Sequence, residues 1–306
     1  MKIKYFLFIS FFLAGNFIFA QLPGTGLNFD DNNYGKVLKK ATLTRSLYGN
    51  ALPSEASLKK WAPYPKSQGS YGTCVGWSST YAALSIVQAQ KRNITDRSII
   101  TERAYSPWFV YANIRLQGDE NCSMGTYVHE AMALLAEKGA PQLSEYNTEC
   151  SQTIPAYVYN LAKNNTIADY AKLFDTYDNN ATKIQAVKKS LSQNKPVVIG
   201  MKCPDSFGTA KGVWEPTEDP NANFGGHAMC IIGYSDQMYG GAFEIQNSWG
   251  DWWGNEGYIW IRYNDLASFT KYAFELIDNI TLPDKENELA GSLDLVLKSG
   301  EAMSAE

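Results

Sequence analysis

The chain changes character partway along, and that change limits the folds open to it. Before about residue 195 its apolar residues recur at helical spacing, and beyond it they gather into short runs of strand character. From 74 to about 90, Val75, Ala82, Ala83, Ile86 and Val87 fall on one helical stripe, flanked by small residues suited to close packing. Residues 130–138 read as a second helix, stopped by Gly139 and Pro141, and 183–193 as a third, with Ile184, Val187 and Leu191 on one face. In the second half, 196–201, 228–234 and 242–246 read as strands, and 258–263 alternates and closes the series. A helical first half followed by a β second half predicts two lobes of one α+β unit. A chain of 306 residues suits such an arrangement around one cleft.

The ends differ from the body. Lys2 and Lys4 precede a run rich in Phe, Leu and Ile that reaches Phe19, and Ala20 stands before Gln21-Leu22-Pro23-Gly24. This pattern predicts a secretory signal peptide over 1–20, cut after Ala20. A membrane anchor is the alternative, but the run is short for a span and is broken by Gly15 and Asn16. No stable membrane insertion is therefore expected once the signal is removed. Residues 21–51 are Gly- and Asn-rich with weak periodicity and read as a short pro-like or linker segment, 52–282 as the folded domain, and 283–306 as an acidic, Ser-rich tail or linker.

A formal charge of −4 excludes the electrostatic footprint of a nucleic-acid binder. No glycine-rich phosphate loop appears, and two histidines without a matching Cys or carboxylate cluster do not build a zinc set. The expectation is no cofactor, no metal, and a monomer that is secreted or periplasmic. Export implies an oxidising compartment in which cysteines pair. There are five, Cys74, Cys122, Cys150, Cys203 and Cys230, so at least one stays free or pairs outside the chain.

Local sequence says which cysteine has chemistry to do. Cys74 follows Gly69-Ser70-Tyr71-Gly72-Thr73 and opens a helix, where first-turn N–H groups and the helix dipole favour a thiolate. A nucleophilic Cys needs a base, usually His. Of the two available, His129 stands beside Glu130 at a helix start and reads as structural. His227 follows Phe224-Gly225-Gly226 and precedes an apolar strand, which suits a group facing a cleft. On this ground alone either histidine is compatible with a structural role. Asn247 ends a strand within Asn247-Ser248-Trp249-Gly250-Asp251-Trp252-Trp253-Gly254, where its side-chain oxygen can orient an imidazole and Trp249 can shield that bond.

Taken together, these segments resemble the papain-like cysteine peptidases. Gln68-Gly69-Ser70-Tyr71-Gly72-Thr73-Cys74 is similar to the family's active-site segment, Gly226-His227-Ala228-Met229 to the segment around its histidine, and Asn247-Ser248-Trp249-Gly250, followed by Trp253-Gly254 and Gly257-Tyr258, to its Asn-Ser-Trp-Gly segment. They occur in the family's order, with 153 residues from Cys74 to His227. The Tyr71 and Val75 pattern is similar to bacterial members. The resemblance implies a helical left lobe, a β-barrel-like right lobe and a polypeptide substrate in the cleft between them. It implies Cys74 as nucleophile, His227 as its base, Asn247 orienting His227, and Gln68 with the Cys74 N–H as oxyanion hole. Cys122-Ser123-Met124-Gly125 looks like the family's Cys-Asn-Gly-Gly segment, so Met124 and Gly125, with Gly226 and Trp249, are expected to bind substrate.

The chain also departs from the pattern. Tyr71 stands where the family has a cysteine, which removes the usual disulfide and leaves Cys122–Cys150 as the expected bridge. Cys203 and Cys230 are either a pair or two buried thiols. Val75 replaces the usual Trp after the nucleophile, and Gly226 an acidic residue or Asn before the histidine. With only about 30 residues between Ala20 and Leu52, the family's long inhibitory pro-domain is missing, which puts the usual zymogen mechanism in question. Two other readings remain in play: a catalytically quiet peptide-binding module of the same fold, and a different Cys-His hydrolase acting on cell-wall peptides or transferring acyl groups.

Overall fold

The computed structural model describes residues 24–41 and 52–278, so the expected signal peptide at 1–20 and the tail at 283–306 lie outside the described residues. Eight strands, β1 (Glu55–Ser57), β2 (Asp169–Lys172), β3 (Val197–Lys202), β4 (Val213–Trp214), β5 (Gly226–Ser235), β6 (Ala242–Gln246), β7 (Tyr258–Arg262) and β8 (Thr270–Ile277), form one sheet. Its order is β2-β8-β3-β5-β6-β7-β4, with β1 pairing to the far end of β5. Every pairing is antiparallel except that of β4 with β7. The helix-then-sheet division matches the α+β expectation. The barrel-like detail does not hold: the sheet is open, because the two ends of its path, β2 and β4, are not paired to each other.

The first-half helix is one continuous run over 74–91, wound more loosely over Trp77–Leu84 than on either side. Its sequence predicts a single apolar stripe, yet every residue from Cys74 to Ala89 is buried. A helix enclosed on all sides has no solvent face to keep polar. Its hydroxyls instead bond within the helix, Ser79 Oγ donating to Val75 O at 2.6 Å. Gly76 permits the closest neighbour, since a Cβ there would stand 2.6 Å from Pro107 O. The helix packs on β5 and β3, and Asn180–Ser192, capped by Asn179, packs on β1, β3 and β5.

Strand β8 lies between β2 and β3, although its sequence does not stand out as a strand. Lys271 and Glu275 interrupt its apolar pattern. Glu275 is nevertheless buried, because Lys40 and Ser190 both reach its carboxylate.

Cys122 and Cys150 form the expected disulfide, while Cys74, Cys203 and Cys230 are free. Residues 24–41 lie against the body of the molecule. Asp31–Lys36 is a short helix whose Tyr34 is buried, donating to Phe174 O at 2.7 Å and accepting from the Ala273 N–H at 3.1 Å. Lys39 then bridges to Lys172 along the outer edge of β2.

Candidate active site

The sheet brings two distant segments to one place. His227 opens β5 and Asn247 directly follows β6, and the register Cys230↔Gln246 aligns those two ends. His227 Nε2 and Asn247 Oδ1 lie 2.8 Å apart. The same oxygen accepts from the Ser248 N–H at 2.8 Å, so the oxygen end of the amide faces the imidazole. With Nε2–H donated to Asn247, Nδ1 is left as the basic nitrogen. Trp249 stacks on the ring, 4.6 Å between centroids and 22° between planes, and walls the bond off from water.

Cys74 comes to the same point from the start of the helix 74–91. Its Sγ accepts from the Ala228 N–H at 3.4 Å, which ties it to the residue after His227. Gln68 is fixed on the Asn247 side: its N–H donates to Ser248 O at 2.8 Å and its Oε1 accepts from Ser248 Oγ at 2.6 Å. One amide hydrogen of its Nε2 goes to Tyr71 O at 2.7 Å, and the other remains for an incoming oxyanion. His129 stays apart from this cluster, packed against Tyr127 at the start of the helix Val128–Glu137.

The electrostatics differ from an exposed thiolate–imidazolium pair. Both side chains are fully enclosed. Burial pushes the Cys74 thiol up to about 12, although the N–H groups of Ala228, Val75 and Cys74 pull the other way. Burial likewise pulls His227 down to about 4, against the opposing hydrogen bond to Asn247. In this form the pair is neutral at pH 7, and the helix start does not overcome desolvation.

The chain's own N-terminal segment lies against the residues on either side of the pair. Residues 24–28 run between the wall formed by Gly69–Gly72 and Met124–Thr126 and the wall formed by Gly226 and Trp249. The Gly24 N–H donates to Gly69 O at 3.2 Å, and Trp249 Nε1 donates to Gly24 O at 2.9 Å. The Thr126 N–H donates to Gly26 O at 2.9 Å, the Leu27 N–H to Gly226 O at 3.1 Å, and Asn28 Nδ2 to Met124 O at 3.0 Å. The approach depends on glycine at both surfaces. A Cβ at Gly26 would stand 2.1 Å from Gly72 O, and one at Gly125, itself at φ +71°, would stand 2.3 Å from Gly26 O. All four residues expected to bind substrate, Met124, Gly125, Gly226 and Trp249, therefore touch this strap. Leu27 fills a pocket floored by Gly200, where a Cβ would stand 2.8 Å from Leu27 Cδ2. Sequence reasoning missed the strap. Its one signal was the pair of glycines in Gly24-Thr25-Gly26, which also suits a linker.

A thiol held by the Ala228 N–H and an imidazole bonded to a carboxamide thus meet at the junction of a helix and a sheet, the arrangement expected of a thiol hydrolase. The model of the papain family cysteine proteases matches residues 59–274, and the chain belongs to that family. It is a hydrolase acting on peptide bonds. An uncharacterized peptidase C1-like protein of Acanthamoeba polyphaga mimivirus is 24% identical over 288 residues, 87% of this chain and 89% of the relative. Chicken cathepsin K is 32% identical, over 97 residues covering 28% of this chain and 29% of the relative. Among solved structures, xylellain, a cysteine protease from Xylella fastidiosa, superposes with a TM-score of 0.66 at 22% identity, covering 85% of this chain and 97% of that one. A digestive procathepsin L2 from Tenebrio molitor larval midgut gives 0.67 at 19% identity, covering 84% and 78%. These likenesses fall on viral and eukaryotic proteins as well as a bacterial one, so the expected bacterial branch is not singled out.

Proposed function

We propose that the chain is an exported peptidase that cleaves peptide bonds through Cys74, His227 and Asn247, and that residues 24–28 hold it closed. The observation that carries this reading is the 2.8 Å contact of His227 Nε2 with Asn247 Oδ1, beside a Cys74 sulfur 3.4 Å from the Ala228 N–H. In the open form water reaches the pair, the desolvation that keeps both groups neutral is relieved, and the proton passes from Cys74 to His227. The thiolate attacks the scissile carbonyl, the oxygen is stabilised by the free Gln68 amide hydrogen and the Cys74 N–H, and the tetrahedral adduct collapses to a thioester. His227 protonates the departing amine and then takes a proton from the water that releases the acid. Asn247 keeps the imidazole turned with Nδ1 toward the thiol throughout.

Export draws its support from the Cys122–Cys150 disulfide and from the leader-like first twenty residues. Among the described residues no helix is long and apolar enough to cross a membrane, and no cluster of three or more His, Cys, Asp or Glu side chains could hold a metal ion. Bromelain has been solved with the inhibitor E64 bound, and that compound is the natural probe here. Labelling of Cys74 by E64, together with hydrolysis of a fluorogenic dipeptide library in the presence of thiol that is lost in Cys74→Ala, supports the reading. A folded protein with an open cleft that neither reacts nor hydrolyses would favour the peptide-binding alternative, for which the peptide segment lying in the cleft is the one direct argument.

A further inference from the structure

A small cavity adjoins Asn247. Trp77, Ser78, Tyr81, Met229, Gln246 and Asn247 are among its lining residues, and all of them are buried. It measures about 10 Å³, the size that admits the centre of a single water molecule. Three of these residues carry buried polar atoms with no protein partner: Trp77 Nε1, Asn247 Nδ2 and Gln246 Oε1. An unpaired buried donor or acceptor is costly, so three around one cavity call for a common explanation.

The orientation of each group is fixed from its other end. Gln246 Nε2 donates to Pro63 O at 3.2 Å, which leaves Oε1 as the free atom. Asn247 Oδ1 is taken by His227 and Ser248, which leaves Nδ2 free. The indole nitrogen can only donate. Two donors and one acceptor thus stand free on residues that line one cavity of one-water size. A water accepts from two N–H groups and donates to a carbonyl oxygen, so the valences match. Its second hydrogen has the Ser78 hydroxyl oxygen at hand, since that hydroxyl gives its own proton to Val75 O at 3.2 Å.

We propose that this cavity is a structural water site, and that Trp77 and Gln246 act through its water as positioning residues for Asn247. The inference rests on the proposed role of Asn247 in orienting His227. The Ser248 N–H and the His227 ring hold the oxygen end of the Asn247 amide, and the water holds the nitrogen end. An amide clamped at both ends keeps Oδ1, not Nδ2, against the imidazole. That choice keeps hydrogen on Nε2 of His227 and the lone pair on Nδ1. The sequence gives this arrangement its own cast: the family's Trp beside the nucleophile is Val75 here, while Trp77 stands two residues further on.

The test uses the full chain and does not depend on turnover. A high-resolution crystal structure should show one ordered water within hydrogen-bond reach of Trp77 Nε1, Asn247 Nδ2 and Gln246 Oε1. Imidazole nitrogen chemical shifts of His227 should report a protonated Nε2 and an unprotonated Nδ1 in the wild type. In Trp77→Phe, which removes the N–H and keeps an aromatic ring, the contrast between the two nitrogens should fall as the amide loses its anchor. Gln246→Met gives the same readout independently, and decides the matter if Trp77→Phe does not fold. Absence of the water overturns the site. An unchanged tautomer contrast in the folded variants overturns the positioning role. Because both readouts are made without substrate, an inactive wild type would count against the proposed peptidase chemistry and not against the water site.

Discussion

Trp249 donates its indole N–H to the carbonyl of Gly24 at 2.9 Å while its ring stacks on His227 at 4.6 Å. One side chain thus connects the strap to the imidazole, and whatever moves residues 24–28 changes the surroundings of the Cys74–His227 pair. The strap in turn is anchored well outside the cleft, through buried Tyr34 and through Asp31, which pairs with Lys271 and accepts from Tyr272.

Opening the strap should unmask Cys74. Gly26→Val places a side chain against Gly72 O, where even a Cβ stands 2.1 Å away. The variant should alkylate faster with iodoacetamide at pH 7, by roughly tenfold for every 1.4 kcal/mol by which the strap is weakened. Tyr34→Ala, far from the thiol, should act in the same direction by loosening the anchor. Equal alkylation rates in all three proteins would show that the strap does not control access.

Loss of Asn247 should separate chemistry from binding. In an open-cleft background, Asn247→Ala should lower kcat on the order of 100-fold with KM little changed, the scale of general acid–base contributions. The check is steady-state kinetics on a fluorogenic peptide. A change confined to KM would mean that Asn247 serves the substrate and not His227.

Stability should fall as the solution is acidified. Burial holds His227 near 4 in the folded chain, whereas in the unfolded chain it titrates near the ordinary value of about 6.5. Between those values the unfolded chain binds the additional proton, so stability rises with pH from 4 to 6.5 and declines as pH drops through that window. The shift is worth about 3 kcal/mol at most. Burial raises the Asp31 carboxyl, but the hydrogen bonds from Tyr272 and Lys271 outweigh it and hold the group below its usual value. Asp31 thus adds a loss of the same sign at still lower pH. Thermal melts from pH 7 to pH 4 should show a falling Tm for the wild type and a flatter profile for His227→Asn.

The pocket that holds Leu27 should set a preference among substrates. Its floor is Gly200 and Tyr272 flanks it, the Tyr272 Cδ2 lying 3.2 Å from where a Cβ at 200 would be. In a peptide library the open enzyme should favour a Leu-sized branched apolar residue at the position that enters this pocket. Gly200→Val should shift the preference to small residues. An unaltered library profile in that variant would place the selective pocket elsewhere.

Much of this site was legible in the sequence because its residues lie at the ends of strongly patterned elements. Cys74 opens a long apolar helix, His227 opens a strand without a charged residue, and Asn247 closes another. The Cys122–Cys150 bridge came from the family resemblance together with the missing cysteine at Tyr71. What escaped was everything that depends on distant partners. Strand β8 hides behind Lys271 and Glu275, the latter buried only because Lys40 and Ser190 come to it from elsewhere in the chain. The all-round burial of residues 74–89 is invisible in a stripe of apolar residues, since the serines pair with the helix's own backbone. The strap is illegible for a related reason: Gly24 and Gly26 read as linker glycines until the walls at Gly72 and Gly125 show that a larger residue would not fit. The neutral state of Cys74 and His227 follows from their burial, and no local pattern predicts it.

We propose that Cys74 is a nucleophile held in check by residues 24–28. It is tested most directly by measuring peptide hydrolysis, with thiol present, for the full chain, for Gly26→Val, and for Gly26→Val combined with Cys74→Ala. The account predicts little activity in the first, a marked rise in the second and none in the third. Activity that survives in the double variant would contradict the assignment of the nucleophile, and a folded Gly26→Val protein no more active than the wild type would contradict the role of the strap.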